Sequence, residues 1–482
     1  MPDNPPEHHP RAGAVTGVLA LAGIVAAIMQ TLVVPLIGDL PALLSTSASN
    51  ASWVITATLL SAAVATPVAG RLGDMYGKRR MLLVSTVPLI AGSVVCALSS
   101  SVLPMIVGRG LQGVGMGIVP LGISLLRDLL PAERLGSAIA VMSASMGVGG
   151  ALGLPFSAAV AEHASWRVLF WVAAGLSLLV AVLVARVVPV GRSVGSAPAG
   201  RFDLPGALGL GAALVSLLLA VSKGSDWGWG SATTLGLLGA ALALLLLWGV
   251  WELRTTDPLV DLRVTARPQV LLTNAASVLV GFAMYAQSLV VPQLLQLPEA
   301  TGYGLGQSMM AMGLWMAPAG LAMMVLAPLG AKLSAAKGPK VTLAVGSLVI
   351  ALGYGSAQLL LGSTWGLLLA SLVCNTGVGL AYGAMPALIM GAVPPQETAS
   401  ANSFNTLMRS IGSSVSAAVM GVVLAQLTID FHGRALPSEH GFRIALLIGS
   451  AVALAAAAVA AAIPAARPAP VTAPAAPAKA RV

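Results

Sequence analysis

Polar side chains that could do chemistry stand at helical spacing inside otherwise apolar stretches of this chain. Arg109 and Gln112 are three residues apart, and Asn402, Asn405 and Arg409 recur at positions i, i+3 and i+7. Residues three, four and seven apart lie on one face of a helix. An arginine at the centre of a membrane span costs about 2.5–3.5 kcal/mol on insertion scales, so it needs a partner or a wet cavity. Each set therefore predicts a polar stripe that faces a cavity or hydrogen-bonds to another helix.

Further single polar residues stand in other apolar stretches and allow the same two interpretations, packing between helices or lining of a cavity. Asn375 and Tyr382 share a face at i and i+7, and Asn274 and Tyr285 share one at i and i+11. The full set of cavity-lining candidates is Gln30, Asn274, Tyr285, Trp315, Asn375, Tyr382, Asn402, Asn405 and Arg409.

One acidic residue stands beside a basic run between two apolar stretches. Asp74 is followed by Lys78, Arg79 and Arg80. The basic residues alone fit a solvated charge run on the cytoplasmic side of a membrane. The acid is not explained by that interpretation, so the segment is a candidate for a specific ion-pairing or gating role.

The composition predicts that membrane helices position these residues. Of 482 residues, 57% are hydrophobic and only 9% are charged, whereas soluble domains carry roughly a quarter charged residues. Apolar stretches of about twenty residues cover the ~30 Å hydrocarbon core as helices, and the alternation typical of a membrane barrel is missing. About fourteen spans are predicted, near 13–37, 51–70, 81–100, 103–126, 136–160, 166–188, 204–222, 231–251, 269–297, 304–330, 341–361, 364–391, 398–426 and 441–465.

The distribution of charge predicts the topology and excludes several functions. The net charge is +9, and most Lys and Arg residues fall at the termini and in alternate loops, which is the positive-inside pattern. Both termini should therefore be cytoplasmic, and a nucleic-acid partner is not needed to explain the charge. The sequence has no phosphate-binding Gly-x-x-x-x-Gly-Lys-Ser/Thr loop and no metal-ligand spacing, so we expect no enzyme activity, nucleotide, metal or other cofactor.

Two loops indicate an internal repeat. The loop after span 2, 70–80, matches the loop after span 10, 331–340, with Leu72 aligned to Leu333 and Gly77 to Gly338. Two six-helix repeats with a central two-helix hairpin follow from this alignment, and such repeats commonly place the substrate site at their interface. The predicted divisions are a tail at 1–12, a first repeat at 13–188, a linker with the hairpin at 189–268, a second repeat at 269–465 and a disordered tail at 466–482.

The segment 70–80 resembles the signature of the major facilitator superfamily, a Gly-x-Leu-x-Asp-x-x-Gly-Arg/Lys-Arg/Lys loop between spans 2 and 3. Residues 109–115 are similar to the second family motif, and 149–155 to a degraded antiporter motif. The fourteen spans point to the drug/proton antiporter branch. The resemblance implies that Gly70, Asp74, Gly77, Lys78, Arg79 and Arg80 form a gate, with the start of span 13 near 400–402 as the partner of Asp74.

Two departures from the branch pattern are the missing acid of span 1 and, in the antiporter motif, a proline delayed from position 154 to Pro155. The resemblance implies an aspartate two residues before Thr31, where this chain has Met29. We therefore take Asp39, near the outer end of span 1, with Arg109 and Gln112 as coupling candidates. In span 5, Gly149, Gly153 and Pro155 predict either ordinary packing or a helix bend that controls leak, because proline removes a backbone hydrogen bond.

The sequence thus predicts a secondary transporter in a bacterial inner membrane that binds a small-molecule substrate and protons, with multidrug or antibiotic export as the expected task. Two alternatives remain open. The first is a facilitator or importer of a small solute without proton antiport. The second is a membrane receptor or assembly subunit that does not transport, which the short loops between the spans disfavour.

Overall fold

A bundle of long helices makes up the protein, as a computed structural model shows it over residues 10–33, 36, 40–189, 201–431 and 434–464. Fourteen of the described helical segments are long and apolar enough to cross a membrane, which confirms the predicted fold class. We number these segments span 1 to span 14. They are Pro10–Thr31, Ala48–Tyr76, Lys78–Leu98, Val102–Leu129, Ala132–His163, Arg167–Val187, Leu204–Trp227, Ala232–Arg254, Pro268–Gln296, Met309–Lys337, Pro339–Leu359, Thr364–Met390, Thr398–Gln426 and Glu439–Ala462.

Short elements interrupt or join the spans. Span 4 consists of Val102–Val114 and Ile118–Leu129 on either side of a 3-10 turn, and span 10 consists of Met309–Val325 and Ala327–Lys337. Two short helices, Leu40–Leu43 and Leu262–Thr265, lie in connections. The strands β1, Thr428–Phe431, and β2, Arg434–Pro437, form an antiparallel pair between spans 13 and 14 in which Ile429 pairs with Leu436.

The boundaries of spans 1 and 2 differ from the sequence prediction, and the second difference changes the position of Asp74. Span 1 begins at Pro10, inside the predicted tail, and ends at Thr31 rather than at 37, four residues before Pro35, which cannot continue a helical ladder. Span 2 continues to Tyr76, six residues past its predicted end. Asp74 therefore lies in the last turn of a helix and not in a loop.

The two six-helix repeats use equivalent packing partners. In the first half, span 1 packs on span 5, span 2 on span 4, and span 3 on spans 4 and 6. The corresponding contacts of the second half are span 9 on span 13, span 10 on span 12, and span 11 on spans 12 and 14. Each half has its own large apolar core. The halves meet where span 5 packs on spans 10 and 12, and where span 13 packs on spans 2 and 4.

The hairpin of spans 7 and 8 lies against the second of these junctions. Span 7 contacts both span 2 and span 13, through an apolar cluster that includes Ala63, Leu210, Leu214, Phe404 and Leu407. The hairpin therefore covers the line along which the two halves meet at spans 2 and 13.

Matching glycines make the sharp turns that relate the two repeats. Gly77 joins span 2 to span 3 with φ +97°, and Gly338 joins span 10 to span 11 with φ +88°. Residues with a Cβ rarely adopt such a backbone conformation, whereas glycine does so freely. We call the end of the bundle where Gly77 lies the motif end, and the other end the opposite end.

Replacement of the turn glycine tests this account of the repeat. Gly77→Ala should destabilise the protein by about 1–2 kcal/mol, because the added Cβ is strained at a positive φ, although a Cβ there would meet no other atom within 4 Å. The measurement is thermal unfolding of the purified protein in one detergent. Gly175→Ala is the matched control, because Gly175 lies within the helix of span 6 and also faces open space. Equal melting temperatures for the two variants would contradict the assignment.

Candidate functional site

Asp74 caps the first turn of span 13. Its Oδ1 accepts a hydrogen bond from the backbone N–H of Ala399 at 3.1 Å, and its Oδ2 accepts from the N–H and the hydroxyl of Ser400 at 2.8 and 2.7 Å. The first turn of span 13 has no acidic residue of its own. A carboxylate at a helix N-terminus satisfies free amide groups and interacts favourably with the helix dipole. One side chain of the first half therefore holds the end of a helix in the second.

Lys78 and span 4 hold the same helix end. The Lys78 Nζ lies 2.8 Å from Asp128 Oδ2 and donates to the Thr398 hydroxyl at 2.7 Å. Ser124 donates to the Thr398 carbonyl at 3.0 Å and accepts from the Asn402 amide at 3.2 Å. We call the contacts of Asp74, Lys78 and Ser124 with span 13 the latch.

Gly70 lets the helices of the latch approach closely. A Cβ on Gly70 would lie 2.3 Å from the Ser403 hydroxyl and 2.7 Å from the Ala399 carbonyl oxygen. A backbone oxygen cannot move aside as the end of a flexible side chain can, so only glycine fits without displacing span 13.

The last basic residues of the motif lie outside the latch. Arg79 donates to the Ala185 carbonyl at the end of span 6 at 2.8 Å, which ties the turn to its own half. Arg80 is exposed. Of the predicted gate residues, the structure thus brings Gly70, Asp74 and Lys78 onto span 13, while Gly77 and Arg79 shape the turn.

The predicted coupling candidates Arg109 and Gln112 form a buried network in the first half. The Arg109 guanidinium donates to the Met29 carbonyl at 2.8 Å, to the Val54 carbonyl at 3.2 Å and to Gln112 Oε1 at 2.7 Å, and Gln112 donates to Ser93 at 2.8 Å. Arg109 is 1% exposed. A cation is favourable at a helix C-terminus, and Met29 lies in the last turn of span 1.

The network joins spans 1, 2, 3 and 4 without a carboxylate among the residues that the structure describes. Asp39, the proposed acidic partner of Arg109, lies outside the described residues. The pairing therefore stays a prediction.

A small cavity lies between the two halves on the membrane side of the latch. Its volume is about 10 Å³. It is lined by Ile123, Ser143, Met146, Tyr382, Pro386, Asn402, Asn405, Thr406 and Arg409. Four of the nine cavity-lining candidates, Tyr382, Asn402, Asn405 and Arg409, are in this set. The Arg409 guanidinium stacks on the Tyr382 ring, with its carbon 4.4 Å from the ring centroid.

The other candidates from spans 9 and 12 make contacts between helices. Asn274 accepts a hydrogen bond from Asn405 at 2.8 Å, which ties span 9 to span 13, and it also lines the larger cavity described below. Asn375 donates to Gln287 at 3.4 Å. Tyr285 is half-buried and does not line the cavity.

Gln30 and Trp315 lie apart from the cavity as well. The Gln30 amide is exposed and lies 3.9 Å from the Met116 sulfur. Trp315 packs edge-on against Trp365 with ring centroids 4.9 Å apart and donates to Gln307 at 3.0 Å. Amphipathic tryptophans of this kind are typical of the membrane interface.

The helix-bend candidates of span 5 lie at two interfaces. A Cβ on Gly149 would meet the Ile24 carbonyl at 2.4 Å, and one on Gly153 would meet the Thr31 hydroxyl at 2.1 Å, so both glycines admit span 1. Pro155 lies against Gly313 of span 10, whose Cβ would be 3.1 Å from the proline backbone. The helix Ala132–His163 continues through Pro155.

A larger cavity of about 140 Å³ lies at the motif end, between the segment after the hairpin and spans 2, 9 and 13. Its charged lining residues are Arg71, Asp257, Asp261 and Glu397. Arg71 lies 4.0 Å from Asp257, so this segment also contacts the motif.

Sequence reasoning missed several residues of the site. Asp128 stands just beyond the predicted end of span 4, on the side of the basic loop, and that position was a usable signal. Ser124 and Ser143 carry no signal, because serine is common in membrane helices. Glu252, one residue beyond the predicted end of span 8, lines neither cavity; it is 2% exposed and lies beside Asp203, and one oxygen of each would contact a Cβ added at Gly206.

Comparison with known proteins places this geometry in context. The family model for the Major Facilitator Superfamily matches residues 19–417. An uncharacterised MFS-type transporter of Mycobacterium tuberculosis is 30% identical over 435 residues, 89% of this chain. The chain spans 62% of the length of that relative. The tetracenomycin C resistance and export protein of Streptomyces glaucescens is 28% identical over 402 residues, 80% of this chain and 71% of that protein.

Solved structures show the same fold. The human organic anion transporter MFSD10 superimposes with a TM-score of 0.64 at 14% identity, covering 95% of this chain and 100% of the other. The proton:xylose symporter XylE superimposes with a TM-score of 0.61 at 15% identity, covering 92% and 94%.

A bulky residue at Gly70 should open the latch. Gly70→Leu places carbon atoms against Ser403 and the Ala399 carbonyl, so span 13 must move away from span 2. The measurement is the rate at which a water-soluble maleimide labels Thr406→Cys in nanodiscs, with Cys96→Ser and Cys374→Ala as background. We expect faster labelling than in the Gly70 parent.

Gly136→Leu is the matched control, because a Cβ at Gly136 meets nothing within 4 Å. It should leave the labelling rate unchanged. Labelling of Gly70→Leu at the parental rate would show that this close approach does not close the cavity.

Proposed function

The chain belongs to the major facilitator superfamily, and from that premise we propose that it exports small amphipathic molecules across a bacterial plasma membrane in exchange for protons. The observation that carries the proposal is the latch, in which Asp74 of the first half holds the N-terminus of span 13 in the second. It supports a transporter in which the halves rock about the cavity between them. The motif end is then cytoplasmic, as the distribution of basic residues predicts.

The latch closes the cytoplasmic side by directional contacts that must all break together. Three hydrogen bonds to the Asp74 carboxylate, the contact of Lys78 with Thr398 and the contact of Ser124 with the Thr398 carbonyl join the halves. Hydrogen bonds to charged groups contribute about 1.5–3 kcal/mol each. A switch between two discrete states follows more naturally from such a set than a gradual opening.

Proton coupling is proposed for the opposite end of span 1. There Arg109 holds the last turn of the helix through the Met29 carbonyl, and the chain continues toward Asp39. An acid that gained or lost a proton near this guanidinium would change how firmly the end of span 1 is held. Arg109 and Gln112 would pass that change to spans 2, 3 and 4, which include the helices of the latch.

Export is supported by what related proteins are named for. The Streptomyces relative is called a tetracenomycin C resistance and export protein, and the Bacillus subtilis relative MdtP, 25% identical over 402 residues, is called a multidrug transporter. A lining that mixes Met146, Tyr382 and Pro386 with polar side chains is suited to amphipathic ligands, since methionine adapts to varied apolar shapes.

The test is transport in proteoliposomes that contain a pH-sensitive dye. Ethidium and 6-hydroxy-2-naphthoate serve as the cationic and anionic probes, and both probe flux and proton movement are recorded. A proton gradient should drive at least one probe, with protons moving in the opposite direction. Probe flux without proton movement would reject exchange and favour a facilitator, and no flux of either probe would reject multidrug export.

Loss of the Asp74 charge should disable the latch and slow exchange. Asp74→Asn keeps the size of the side chain, but its NH2 group cannot accept a hydrogen bond and the remaining bonds lose their charge assistance, so exchange should fall about tenfold or more. Glu133→Gln is the matched control, because Glu133 is an exposed acid in the first turn of span 5 at the same end. It should retain parental exchange. Equal losses in the two variants would contradict a specific role of Asp74.

A further inference from the structure

Arg409 brings a buried positive charge to the cavity between the halves. Its side chain is 6% exposed. Among the residues that the structure describes, no carboxylate lies within ion-pair distance of it. Within the described part of the chain its side chain donates a single hydrogen bond, a long one from Nη2 to the Thr406 hydroxyl at 3.4 Å. A guanidinium carries five N–H donors, and a buried charge is expensive unless it is paired. Binding of an anion would therefore stabilise this group.

The aromatic ring of Tyr382, which lines the cavity, already makes two contacts. The face of Tyr382 stacks on Arg409 at 4.4 Å, and its hydroxyl contacts the Met284 sulfur at 2.8 Å. A ligand cation would need such a ring face for a cation–π interaction, and it would also meet the charge of Arg409. The cavity is therefore unfavourable for lipophilic cations.

Two residues that line the cavity each carry a buried polar atom without a hydrogen-bond partner, Asn402 Oδ1 and Ser143 Oγ. The Asn402 amide nitrogen donates to the Thr398 carbonyl at 2.9 Å and to Ser124 at 3.2 Å, which fixes the side chain with its oxygen free to accept. Buried polar atoms are nearly always paired. A ligand hydroxyl would satisfy the Asn402 oxygen, and the apolar surface of Ile123 and Met146 would contact a hydrocarbon body.

We propose that this cavity binds amphipathic aromatic substrates that carry an ionised acidic group and a hydroxyl, with the acid on Arg409 and the hydroxyl on Asn402. The proposal rests on the proposed transport function and names its substrate class as organic anions. In the latched state the cavity, at about 10 Å³, has room for about one water molecule. The site must widen as the halves separate, and Asn402, which contacts both latch and cavity, links ligand binding to that movement.

Binding to the full-length protein in phosphatidylcholine nanodiscs tests the proposal. Equilibrium dialysis against empty nanodiscs gives the dissociation constants of 6-hydroxy-2-naphthoate, its methyl ester and tetraphenylphosphonium. The carboxylate should bind about tenfold or more tightly than the ester, the difference that one charge-assisted contact supplies. An ester that binds as tightly as the acid, or a cation that binds more tightly, would overturn the proposal.

Variants of the cavity assign the preference to Arg409. Arg409→Gln should remove the preference for the acid, and Arg409→Lys should retain part of it. Arg443→Gln is the control, because Arg443 is 44% exposed and pairs with Glu439 within its own helix; it should bind as the parent does. Retention of the full preference in Arg409→Gln would overturn the proposal.

A second variant keeps the test decisive if Arg409→Gln does not fold. Thr406→Asp places a carboxylate at the position that contacts the guanidinium and should abolish binding of the acid, whereas Thr406→Asn, of similar shape, should not. Acid binding that survives Thr406→Asp at parental affinity would overturn the proposal.

The outcome is separate from that of the transport test. Arg409-dependent binding of the acid without proton exchange would retain the site and reject the antiporter. Proton exchange with either probe, together with acid binding that Arg409→Gln leaves unchanged, would retain the exporter and reject the anion site.

Discussion

The rest of the structure depends on the contact between one carboxylate and one helix end. Span 13 begins with amide groups that no acidic residue of its own first turn can satisfy, and Asp74 supplies the missing acceptor from the other half of the molecule. Unsatisfied backbone groups are costly away from water. Span 13 can therefore leave span 2 only when another acceptor, such as water at an open motif end, replaces the carboxylate. This requirement makes the closed and open states distinct.

The same constraint explains where the polar residues of the membrane region lie. Arg109 is matched by the carbonyl groups at the end of span 1, and Asn405 by Asn274 and Ser277. These pairs join helices within a half. Two of the buried polar atoms left without a partner, on Ser143 and Asn402, belong to residues that line the cavity between the halves. Hydrogen bonds such as those of Arg109 and Asn405 stabilise each half, while the unmatched atoms of Ser143 and Asn402 are available to a ligand.

Sequence reasoning predicted the fold well because membrane spans are long, apolar and separated by charged turns. It also predicted the repeat, since a turn with positive φ requires glycine at both Gly77 and Gly338. Apart from the partner of Asp74 near 400–402, which the family resemblance implied, it could not predict which polar residues meet across helices. The i, i+3, i+7 stripe of Asn402, Asn405 and Arg409 indicates one shared face, but that face is broad enough for Asn405 to contact span 9 while Asn402 contacts span 4. Rotation of each helix, which sequence spacing does not determine, decides between packing and cavity.

The two halves are related by a repeat, but their junctions are chemically different. The residue aligned with Asp74 is Ala335, and span 5, the counterpart of span 13, carries Glu133 in its own first turn. No side chain caps the start of span 5, and span 10 has no carboxylate to offer it. Its junction with span 10 consists of close packing: a Cβ added to Gly320 would lie only 2.2 Å from the Cβ of Ala151. Separation of spans 2 and 13 breaks charge-assisted hydrogen bonds, whereas the described residues of spans 5 and 10 meet through van der Waals contacts. A change of charge can therefore strengthen or weaken the junction of spans 2 and 13. The junction of spans 5 and 10 depends instead on the shape of what lies between the halves.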